Sequence, residues 1–86
     1  MNEEQKGLHV TIINLKDGTQ VFENVKAVRI HSDKYRVLIM QDHAPILGKV
    51  NGDLYIVQES GETVFENVEG FYTNVKNEFK FVEEDE

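Results

Sequence analysis

Leu8-His9-Val10-Thr11-Ile12-Ile13-Asn14-Leu15-Lys16-Asp17-Gly18-Thr19-Gln20-Val21-Phe22-Glu23 is the stretch on which the fold turns. Leu8, Val10 and Ile12 alternate with His9 and Thr11, the period-2 pattern of a strand with one buried face. Ile13 and Leu15 then move the apolar set by one position, as a bulge or burial on both faces would. Asp17-Gly18 supplies the positive φ that a tight hairpin needs, and apolar residues resume after it. Strand, turn, strand is the first unit the sequence specifies.

The same grammar continues outward. Residues 19–23 and 25–31 read as two strands, and Ser32-Asp33-Lys34 as a turn. Residues 35–40 are a continuous apolar run of the kind buried on both faces. Asn51-Gly52 is the strongest hairpin signal, expected to join strands at 46–50 and 53–58. Glu59-Ser60-Gly61-Glu62 turns into 63–68, and 70–75 pairs with 78–82 around Lys76-Asn77. No stretch of about ten residues carries helical spacing. The expectation is all-β: a small two-layer β-sandwich or flattened barrel of eight to nine short antiparallel strands. It would span residues 8–82, between a frayed N-terminus (1–7) and an acidic tail (83–86).

Eighty-six residues make one domain with a thin core. The apolar 40% is mostly Val, Ile, Leu and Phe in short runs, which suits folding rather than disorder. The absence of cysteine excludes disulfides and thiolate metal sites. A formal charge of −7 speaks against nucleic-acid binding, which needs Lys and Arg to displace counterions. The polar start, and apolar runs shorter than half a membrane span, lead to the expectation of a cytoplasmic protein. Val21-Phe22-Glu23-Asn24-Val25 recurs as Val64-Phe65-Glu66-Asn67-Val68, with Gly18 matched by Gly61. Two readings stand side by side: duplication of a half-domain, or two strand corners that converged on the same chemistry, since Asn tolerates the corner conformation.

Catalytic constellations are not found. Ser32 and Ser60 sit in turns without a His-plus-acid signature, and the glycines are scattered singly. His9, His31 and His43 read as surface or rim histidines rather than a metal set. Arg29, Tyr35, Arg36, Tyr55 and Tyr72 make a weak case for a stacking surface. The expectation is a binding protein, not an enzyme, with no cofactor and no metal. Its most distinctive segment is Gln41-Asp42-His43-Ala44-Pro45-Ile46-Leu47, where the only proline stiffens a loop between two apolar strands. A stiff loop loses little entropy on docking.

At this segment the chain resembles the N-terminal β domain of the epsilon subunit of F-type ATP synthases. The motifs in order are Asp17-Gly18, Val21-Phe22-Glu23, Val28-Arg29-Ile30, Ile39-Met40-Gln41-Asp42-His43-Ala44-Pro45-Ile46-Leu47, Gly52-Asp53-Leu54-Tyr55-Ile56 and Glu69-Gly70-Phe71. The family's Pro-Gly before His is Gln41-Asp42 here, and its Gly-Gly before Phe is Glu69-Gly70. The hairpin that faces the rotor ring in the family falls at Lys34-Tyr35-Arg36-Val37-Leu38, where two glycines are gone and bases replace acids. The family's C-terminal helical hairpin has no counterpart in these 86 residues. The resemblance implies a non-catalytic subunit docked on a gamma-like stalk partner, helping to couple proton-driven rotation to ATP synthesis. It would be peripheral to the membrane only through that partner. It points to Gln41, Asp42, His43, Ala44 and Pro45 as partner-binding positions, with Lys34 and Arg36 at the ring-facing hairpin. The alternative is a stand-alone acidic adaptor or regulator outside any ATPase.

Overall fold

The computed structural model describes residues 7–84; most of the expected frayed N-terminus and the last two residues of the acidic tail lie outside them. The described residues form strands and turns without helix. Six strands follow in order: β1 (Leu8–Asn14), β2 (Gly18–Ser32), β3 (Arg36–Met40), β4 (Ile46–Gln58), β5 (Gly61–Val75) and β6 (Glu78–Glu83). The all-β expectation holds, and of the two layouts expected the structure has the barrel and not the sandwich; the eight to nine strands and their uniformly antiparallel pairing do not hold.

Three expected pairs of short strands are single long ones. Residues 19–23 and 25–31 merge into β2, 46–50 and 53–58 into β4, and 63–68 and 70–75 into β5. The residues read as breaks are bends inside strands. Asn51-Gly52 is no hairpin: Asn51 pairs with Glu69, and Gly52 lies between Val68 and Ser32 in adjacent ladders. Glycine is needed there because a Cβ would collide with the His31 carbonyl oxygen.

Nor are there two layers. One sheet runs β1-β6-β5-β4-β2-β3, and β1 also pairs with β2, so five strands close into a barrel and β3 remains outside on the edge of β2. Long strands make this possible, because β2 gives its first half to β1 and its second half to β3 and β4. The seam is a parallel ladder between β1 and β6, with Ile12 beside Phe81. The core packs Leu8, Val10 and Ile12 against Val28, Ile30, Leu54, Ile56, Tyr72, Phe79 and Phe81. Burial raises the pKa of the Tyr72 hydroxyl, and its hydrogen bond and charge interaction with Tyr35 raise it further.

The internal echo has a structural meaning. His9 of β1 faces both Glu23 and Asn24, and Asp53 of β4 faces both Glu66 and Asn67, so each Glu-Asn pair is a β-bulge. Both asparagines adopt positive φ, 53° and 55°. β2 and β5 have the same length, 15 residues, and the β2–β3 pairing of Ala27 with Met40 recurs in β5–β6 as Gly70 with Glu83. The two echoed phenylalanines, Phe22 and Phe65, meet edge to face at 6.2 Å. The halves then diverge at Lys26, an extra residue bulged from β2 against β4. Beyond it the alternation of β2 is inverted: Val28 and Ile30 point inward where β5 points Tyr72 and Asn74.

Candidate functional site

That inversion creates the surface of interest. Without the Lys26 bulge, Arg29 would occupy the inward position that Tyr72 holds in the second half, and Arg36 that of Phe79. Instead both face outward, while Tyr72 and Phe79 stack in the core with ring centroids 5.6 Å apart. These are the only arginines of the chain.

Cross-strand registers fix what surrounds them. Leu38 of β3, Arg29 of β2, Tyr55 of β4 and Val64 of β5 form one row across four strands. Met40, Ala27, Val57 and Glu62 form the next row, and Arg36, His31 and Asp53 the row on the other side. The Arg29 guanidinium lies 4.9 Å from the centre of the Tyr55 ring and bonds Glu62 at 2.9 Å. His31 sets its ring 4.8 Å from the same tyrosine. Both Arg29 and Glu62 are surface-exposed, so this ion pair is worth at most about 1 kcal/mol and serves chiefly to orient. Arg36 has no carboxylate partner among the described residues. Beside it Leu38 and Met40 are half exposed, at 50% and 51%. A shallow concavity of about 250 Å³ lies between Arg29, His31, Arg36, Val37 and Leu38. A second hollow, of about 680 Å³ at the Asn24 corner, has only Lys26 and Glu59 as charged groups and borders Gly7, the first described residue.

The sequence-derived positions fall at the two ends of β3. Lys34 sits in the turn before it and Arg36 at its first position. Gln41, Asp42, His43, Ala44 and Pro45 form the loop after it, about 15 Å away at the usual rise of a strand. That loop is held as its proline suggests. Asp42 adopts a φ of 68° and donates its backbone N–H to Asn77 Oδ1 at 2.7 Å. His43 donates its N–H to the Met40 carbonyl at 3.1 Å, and its Nδ1 lies 2.7 Å from the Ala44 carbonyl. The carbonyl can only accept, so Nδ1 carries the proton there. Gln41 Oε1 accepts the Gly7 N–H at 3.0 Å. His43 is half buried and its four neighbours in the loop are exposed.

The chain matches no family model and no curated protein.

The five residues weighed as a stacking surface separate into two groups. Arg29, Arg36 and Tyr55 share the outer face, whereas Tyr72 is buried and Tyr35 turns away to donate its hydroxyl to the Lys49 carbonyl. Residues 35–40, read as buried on both faces, bury Ile39 but leave Leu38 and Met40 half exposed, because no second layer among the described residues covers the outer face of the sheet. His31 and Leu38 share this face and were not among the sequence-derived positions. The alternation Arg29-x-His31 and Arg36-x-Leu38-x-Met40 was visible; what set it outward was the bulge at Lys26.

Proposed function

We propose that this chain is a non-catalytic protein-binding module, an adaptor or regulator, whose contact surface is the outer face of β2, β3 and β4. The supporting observation is the gathering of both arginines, Tyr55 and His31 beside half-exposed Leu38 and Met40. Arg and Tyr dominate binding hot spots because each offers apolar area together with directed hydrogen bonds. Stacking on Tyr55 fixes the Arg29 guanidinium in advance, so less freedom is lost on binding. Arg36 is open to a carboxylate from outside, and Leu38 and Met40 to an apolar side chain next to it. The partner is thus a protein segment in which acidic and apolar residues lie side by side. In a chain of net charge −7 this face sets two arginines against Glu62 and Asp53, an arrangement that selects the docked orientation more than it speeds approach.

The test is isolation of complexes from the native source with the wild-type chain and with an Arg29→Ala/Arg36→Ala double variant. Wild type is expected to hold a partner in a salt-sensitive manner, and the double variant to bind it at least about tenfold more weakly. Equal binding by the two chains would remove this face from consideration.

The rotor-stalk version of the reading uses the 41–45 loop instead. It draws support from the way Asn77 and the Met40 carbonyl hold that loop exposed and fixed. It would place a gamma-like partner on His43, Ala44 and Pro45. Substitution of His43, rather than of Arg29, would then release ATPase subunits that co-purify with the chain.

A further inference from the structure

We draw no further inference here: the strongest candidate, the outward surface patch where Phe71 of β5, Val82 of β6 and Ile13 of β1 lie side by side with Lys49 over the Phe71 ring, carries nothing, because nothing in the structure shows what covers it.

Discussion

At Asn24 and Asn67 the backbone takes up a left-handed conformation, with φ of 53° and 55°. L-residues other than Gly, Asn and Asp enter this region at a cost of about 1–2 kcal/mol, because Cβ approaches the carbonyl oxygen. Asn24→Ala and Asn67→Ala are therefore each expected to lower stability by about 1–2 kcal/mol, and Asn→Gly at either site to be nearly neutral. Urea denaturation of the four variants gives the answer; an alanine tolerated at one corner but not the other would break the equivalence of the two bulges. The corner chemistry was readable because it is local: an asparagine declares its tolerance within a few residues. The outward setting of Arg29 and Arg36 was not. It depends on the pairing of Lys26 against β4, some thirty residues further along the chain, and one bulged residue exchanges the two faces of everything after it.

At the scale of the element, the eight to nine expected strands became six because turn-forming residues also serve inside strands. Asp17-Gly18 and Lys76-Asn77 do turn the chain, the latter with φ of 51° and 65° as a two-residue hairpin requires. Asn51-Gly52 does not, although its signal looked stronger. The distinction lies in what the glycine is for. In β4, Gly52 makes room for the His31 carbonyl on β2, while Asn51 is exposed and does not take up a positive φ. A turn would make both residues matter; close approach makes only the glycine matter. Gly52→Ala is expected to destabilise by about 1–3 kcal/mol through forced backbone displacement. Asn51→Ala should stay within about 0.5 kcal/mol of wild type. Comparable losses in both variants, measured by chemical denaturation, would restore the hairpin reading.

On the scale of the whole molecule, strand alternation establishes that one face of each strand is buried, and it is satisfied equally by two facing sheets and by one sheet closed on itself. What decides is the partner of β1, and that partner is β6, at the far end of the described chain. No local pattern announces a parallel ladder between the first and last strands. Its consequence is energetic: the seam belongs to the core. Phe81 is fully buried, paired with Ile12 on one side and Tyr72 on the other, and its ring rests where Gly70 has no side chain. Phe81→Ala is expected to cost about 3–5 kcal/mol. The whole chain commands only roughly 5–10 kcal/mol, so that loss takes most of it. Val82, the next residue, faces outward at 46% exposure, and Val82→Ala should cost well under about 1 kcal/mol. Because a closed sheet has one core, the loss at Phe81 should appear as a single cooperative transition, shifted to much lower denaturant and coincident by far-ultraviolet dichroism and tyrosine fluorescence. A two-step transition, in which one probe reports β6 leaving an otherwise intact structure, would mean that the barrel stands without its seam and that β1 and β6 are an addition to it rather than its closure.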